Sequence, residues 1–188
     1  MKNSLNIIIA VLLTIHNSGI SAAEKPANVL EEIVNSKEHE YDKALLLHDL
    51  LNSKPVNIPE AAILLALGQT ASNLEISLQE FSVEQAISQD LHMKIVHSEN
   101  FGDFVSYDGY HFQQIIKKHP KSDLVDDAEY ELIYVLPDSH NYWDLKVEKK
   151  ALEAFLKKHP KTNLLNEVTE RIKFIADYLD SGGWEIVD

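Results

Sequence analysis

The chain has 188 residues, 45% of them apolar and 8% aromatic, with 17 Lys and Arg against 30 Asp and Glu, a formal charge of −13. That apolar fraction excludes wholesale disorder. The acidic balance argues against a surface built for nucleic acid or an anionic membrane. The absence of cysteine excludes disulfide staples, thiolate zinc sites, a cysteine nucleophile and a lipidated N-terminal cysteine.

Residues 1–23 read as a secretory signal peptide. Lys2 gives a short positive start, and Ile7 to Ile15 runs nine residues without a charge. A spanning helix needs about 20 apolar residues, so this run fits a signal-peptide core better than an anchor. Ser21-Ala22-Ala23 supplies the small side chains of a cleavage site. Cleavage near Ala23 removes one base and no acid, leaving 165 residues with a charge of −14. Ala61 to Gly68 is apolar but too short to cross a bilayer, so no integral membrane segment is expected. The expected location is the periplasm, or the medium after secretion.

Beyond the leader, residues 24–100 read as an N-terminal helical region. Val29, Leu30, Ile33 and Val34 form one apolar stripe at helical spacing, and Ala44, Leu47 and Leu51 form a second. Pro55 and Pro59 close that helix and open the next, carrying Ile63, Leu64 and Leu67. Ser72 to Phe81 reads as loop or short helix. Ser82, with Gln85 three residues on, predicts the cap of a further helix whose apolar set is Val83, Ala86, Ile87, Leu91 and Ile95. Phe101 to Tyr110 is a joint punctuated by Gly102 and Gly109. No run shows sustained period-two alternation, so no sheet is predicted.

Residues 101–188 carry an internal repeat. Phe112 to Tyr134 matches Leu152 to Phe174 without a gap at an offset of 40 residues. Lys117-Lys118-His119-Pro120-Lys121 and Leu124 recur as Lys157-Lys158-His159-Pro160-Lys161 and Leu164. Ser122 is matched by Thr162, Asp123 by Asn163, and Asp127 by Glu167. The paired lysines favour the negative end of a helix, and the residue before proline resists the α region, so a first helix stops there. Ser122-Asp123 and Thr162-Asn163 are cap types for a second helix. That helix shows apolar spacing of three and four through Leu124, Ala128, Leu132 and Val135, and again through Leu165, Val168, Ile172, Ile175 and Leu179. A period in this range marks stacked helix hairpins.

Ile115 to Ala128 resembles the tetratricopeptide repeat, in particular the branch found in periplasmic and outer-membrane-assembly proteins, and Phe155 to Val168 is a weaker copy. The resemblance implies an all-α fold of antiparallel helix hairpins stacked as a short tetratricopeptide-like solenoid, with units at 110–136 and 150–180. The copies depart from the family pattern at Gln114, at Val168 in place of Ala128, and in the long connection Pro137 to Trp143. Residues 42–67 are either a degenerate third copy or part of an unrelated helical cap.

Motifs for chemistry are lacking. No G-x-S-x-G, H-E-x-x-H or glycine-rich phosphate loop occurs. His48-Asp49 lacks companion ligands and reads as a polar surface pair. His92 and His97 are five residues apart, while His119 and His159 are accounted for by the repeat, so no metal site and no cofactor are expected. Asp126-Asp127 complements a helix N-terminus rather than serving acid–base catalysis. The aromatic joints are the better candidates, because Tyr and Trp combine contact area with a polar handle. Tyr107, Tyr110, Tyr134, Tyr142 and Trp143 are the expected partner-binding residues. The expected role is a non-enzymatic scaffold that binds a protein or peptide partner in the envelope, free or docked on a peripheral complex. The alternative is an inhibitor or immunity-type protein that blocks a secreted or cell-wall enzyme. Charge is uneven: 11 of the 17 bases lie between Lys117 and Lys173, whereas Leu74 to Asp108 holds seven acids and only Lys94.

Overall fold

The computed structural model describes residues 27–83, 89–98, 102–135 and 145–181. The expected leader lies outside these residues, as do Tyr142, Trp143 and Trp184. Among the described residues, no helix is long and apolar enough to cross a membrane.

Apolar periodicity sets the first three helices. Helix α1 (Ala27–Val34) turns Leu30 and Ile33 onto the core. Helix α2 (Glu40–Ser53) buries Ala44 and Leu47. It ends at Lys54, which takes a left-handed conformation (φ 49°) ahead of Pro55. Helix α3 (Glu60–Ser72) starts after Pro59 and buries Ile63, Leu64 and Leu67. Full burial of such side chains contributes about 1.5–3 kcal/mol each.

The next stretch corrects the sequence reading. Helix α4 (Leu78–Val83) starts in the stretch read as loop or short helix and is capped at Ser77, so Ser82, the expected cap of the helix after it, lies inside α4. Ser77 Oγ accepts from the Glu80 backbone N–H, and Glu80 Oε2 accepts from the Ser77 N–H at 2.9 Å, a reciprocal capping box. Residues 84–88, including Ala86 and Ile87 of the expected helix, lie outside the described residues. Ile95 stands in a strand. Strands β1 (Met93–Ser98) and β2 (Gly102–Tyr107) pair antiparallel, with Met93 opposite Tyr107 and Ile95 opposite Val105. The fold is therefore mostly helical with one small sheet. The strands escaped pattern reading because Ile95-Val96 and Phe104-Val105 place apolar residues on both faces. Only the base of the hairpin, at Met93 and Tyr107, is buried.

Helices α5 (Tyr110–Lys118) and α6 (Val125–Val135) form one hairpin, and α7 (Leu145–Lys158) and α8 (Leu165–Asp180) form another. The sequence repeat is also a hydrogen-bond repeat. His119 N–H donates to Ile115 O at 2.8 Å, and His159 N–H donates to Phe155 O at 2.8 Å. Ser122 Oγ accepts from Leu124 N–H and Thr162 Oγ1 from Leu164 N–H, both at 3.2 Å. Buried Phe112, Ile115 and Ala128 correspond to buried Leu152, Phe155 and Val168. One expected core position shifts: Leu164 packs inward and Leu165 is exposed.

Each of these hairpins lays its first helix on the second helix of the preceding pair, α5 on α3 and α7 on α6. The two contacts share a polar clip. Lys118 Nζ and His119 Nε2 lie 4.0 and 3.4 Å from the Glu60 carboxylate, and Lys158 Nζ and His159 Nε2 lie 2.6 and 2.9 Å from that of Glu129. Helix α6 serves two cores. Ala128 and Leu132, with Leu124 just ahead of the helix, face the N-terminal one, while Tyr130 and Ile133 face the cluster built on Leu152, Phe155, Val168 and Ile175.

Candidate partner-binding surface

Tyr134 sits on the last turn of α6 and is 37% exposed. Its ring meets Tyr130, one turn earlier, edge-on at 5.4 Å. Tyr130 reaches across to α8, where its hydroxyl donates to Glu167 Oε1 at 2.9 Å. Glu167, Arg171, Phe174 and Tyr178 follow at helical spacing along one stripe of α8. The Arg171 guanidinium lies 5.3 Å from the Phe174 ring centre, and Phe174 stacks on Tyr178 at 6.3 Å. From α7, Glu148 clamps Arg171 with two bonds, Nε to Oε1 at 2.7 Å and Nη2 to Oε2 at 3.0 Å.

Three helices thus build one strip of aromatic rings around a locked guanidinium. The Glu148 hydrogen bonds hold Arg171 above its ordinary pKa, and burial raises the Tyr134 phenol. Neither group changes charge near neutrality. Phe174 is 55% exposed and occupies the repeat position of Tyr134, 40 residues on. Tyrosine, phenylalanine and arginine are residue types enriched in protein interfaces.

Tyr134 is the expected binding residue that the structure places here. Tyr107 and Tyr110 lie elsewhere, at the junction of β2 and α5, and Tyr107 is only 2% exposed. Its hydroxyl accepts from the His111 backbone N–H at 2.7 Å and shares a hydrogen bond with His111 Nδ1 at 2.9 Å, so it offers little surface to a partner. Tyr110 is half-buried and stacks on His92 with ring centres 3.5 Å apart. Tyr142 and Trp143 lie outside the described residues.

His48 is half-buried on α2 beside the exposed Asp49, and it acts electrostatically on His92 and His111. Among the described residues, no group of three or more His, Asp or Glu side chains is arranged to hold a metal ion. Asp126 and Asp127 sit in the first turn of α6, as expected; burial and then the neighbouring Asp126, Asp123 and Glu131 raise the Asp127 carboxyl.

Arg171, Tyr130 and Phe174 escaped the sequence reading. One signal was present: Arg171 is the single arginine in the chain, against 16 lysines. A planar fork suits a bidentate carboxylate and an aromatic face, which an ammonium group cannot match. The chain matches no family model, no curated protein and no solved structure.

Proposed function

We propose that this chain is an exported, non-catalytic helical scaffold of tetratricopeptide-like type, which binds a protein or peptide partner in the cell envelope. The strip of Tyr134, Arg171 and Phe174 is the observation that carries the binding role, because it combines exposed aromatic area with a rigid cation. Stacking of α5 on α3 and of α7 on α6, with the clip repeated at His119 and His159, supports the solenoid reading. The leader supports export. Along the far side of α8, Thr169, Glu170 and Lys173 stand exposed where α6 offers Glu129, Tyr130 and Ile133 to the next hairpin.

Capture from envelope extract with the mature protein is the test. Tyr134→Ala with Phe174→Ala should lower recovery of a stoichiometric partner by roughly tenfold, about 1.4 kcal/mol, with helical circular dichroism unchanged. Equal recovery by both proteins overturns the binding role of the strip. A captured enzyme that loses activity on binding would make the chain an inhibitor. N-terminal sequencing of the exported form should start at Glu24, and retention of residues 1–23 would overturn export.

A further inference from the structure

The β-hairpin joins the helical body through a cluster of histidines that the partner-binding strip does not use. His92 precedes β1 with a left-handed backbone (φ 58°), a conformation that is costly for a residue other than glycine. Its carbonyl accepts from the Asp108 N–H at 3.1 Å, which ties the two strand ends together. Its ring stacks on Tyr110 and meets His111 edge-on at 5.5 Å. Asp108 Oδ2 lies 3.7 Å from His92 Nδ1, while Asp108 Oδ1 accepts from the Tyr110 N–H at 2.9 Å. Asp90, next to the turn, and His48, on α2, also act on His92.

The buried pair at the centre is joined by two hydrogen bonds. The Tyr107 oxygen accepts from the His111 backbone N–H, and the hydroxyl shares a second hydrogen bond with His111 Nδ1 at 2.9 Å. Burial and the neighbouring His92 and His48 favour the neutral His111 ring. Protonation would bury a charge beside His92 and His48, at a residue only 2% exposed. Tyr107 also stands edge-on to Phe112 at 5.9 Å, and Phe112 packs against Gly68 of α3. The cluster therefore links the hairpin to the α3–α5 contact.

We propose that the cluster of His92, Tyr107 and His111 is an acid-released latch, which holds the β1–β2 hairpin on the helical body when neutral and frees it when protonated. Burial, then His92 and His48, push the His111 imidazole down to about 3, and burial also lowers His92 against the opposing pull of Asp108 and Asp90. Both shifts have one sign. Opening takes up protons, so the latch weakens as pH falls below the ordinary histidine value of about 6.5.

Amide hydrogen exchange on the full chain between pH 7 and pH 4 tests this, with rates corrected for intrinsic exchange. Protection of residues 93–98 and 102–107 should fall by up to about tenfold per pH unit for each proton taken up, up to about a hundredfold for His111 and His92 together, while α8 amides hold. In His111→Asn, whose side-chain amide can still hydrogen-bond Tyr107 but takes up no proton, the hairpin should lose most of that dependence. Parallel loss of hairpin and α8 protection in the wild type overturns the proposal. So does an unchanged pH profile in the variant. Should the variant fail to fold, the NMR titration of His111 in the wild type decides: a midpoint near 6.5 with the hairpin still protected overturns the latch.

Discussion

Phe112 lies against Gly68 so closely that a Cβ built on the glycine would stand 2.6 Å from the Phe112 ring. Gly68 sits inside α3, where glycine costs about 1 kcal/mol relative to alanine. Phe112 is fully buried, with Ile115 and Tyr107 in the same cluster, so its ring has little room to retreat. Overpacking of this kind costs about 1–3 kcal/mol, which outweighs or at least cancels the helical gain. Gly68→Ala should therefore lower stability by roughly 1 kcal/mol in denaturant unfolding. Adding Phe112→Leu should recover less than it costs elsewhere, yet the two changes should be non-additive. Simple additivity would mean that the rings and helix do not meet as described.

The two repeat turns offer a matched pair of substitutions. Ser122 and Thr162 hold the same backbone N–H at the same distance, 40 residues apart. Ser122→Ala and Thr162→Ala should each cost about 1 kcal/mol, the ordinary net loss of one side-chain hydrogen bond. Thr162 should cost slightly more because it is 9% exposed and loses a buried methyl as well. A stability change at only one of the two sites would show that the turns are alike in sequence but not in energetics.

The turns were legible in sequence because their chemistry is local. Lys-Lys-His-Pro followed by Ser or Thr stops one helix and starts another within about eight residues, so the repeat could be read directly from its spacing. The strip was not legible, since its members come from α6, α7 and α8 and only tertiary packing brings Glu148 to Arg171. Tyr134 could be chosen for its residue type, but the same criterion also chose Tyr107, whose hydroxyl is spent inside the fold. The histidine cluster failed for the same reason. His48, His92 and His111 are too far apart in sequence to form a motif, and proximity alone unites them. The hairpin was missed because its exposed Ile95 and Phe104 break the alternation that a half-buried strand would show.

Arg171→Lys tests whether the fork, rather than the charge, organises the strip. Lysine keeps a positive charge near Glu148 but cannot make both bonds or lie flat beside Phe174. Arg171 is partly exposed, so the stability change should stay at about 0.5–1 kcal/mol. Tyr134 should become more mobile, readable as lower order in its ring resonances. Partner capture should weaken as with the aromatic substitutions. A variant that binds as well as the wild type would place recognition on the rings alone.

The clip at Glu129 predicts a second acid response, on different residues from the histidine latch. Partial burial alone would raise the Glu129 carboxyl, but hydrogen bonds from Lys158 and His159 outweigh it and leave the group below its ordinary value. A carboxylate lowered in the folded state contributes stability that is complete above its unfolded pKa, about 4.3, and is lost as pH falls through the folded value. Glu129→Gln should therefore reduce stability at pH 7, by about 1 kcal/mol given the exposure of Lys158. The gap between variant and wild type should close as pH drops below about 4. The corresponding Glu60→Gln should cost less, because His119 stands 3.4 Å from Glu60 where His159 bonds Glu129 at 2.9 Å, and both Glu60 and Lys118 are about half exposed. Urea unfolding of both variants at pH 7 and pH 3.5 checks the order. Equal losses at both sites, or a gap that persists in acid, would show that the clip owes its strength to shape rather than to charge.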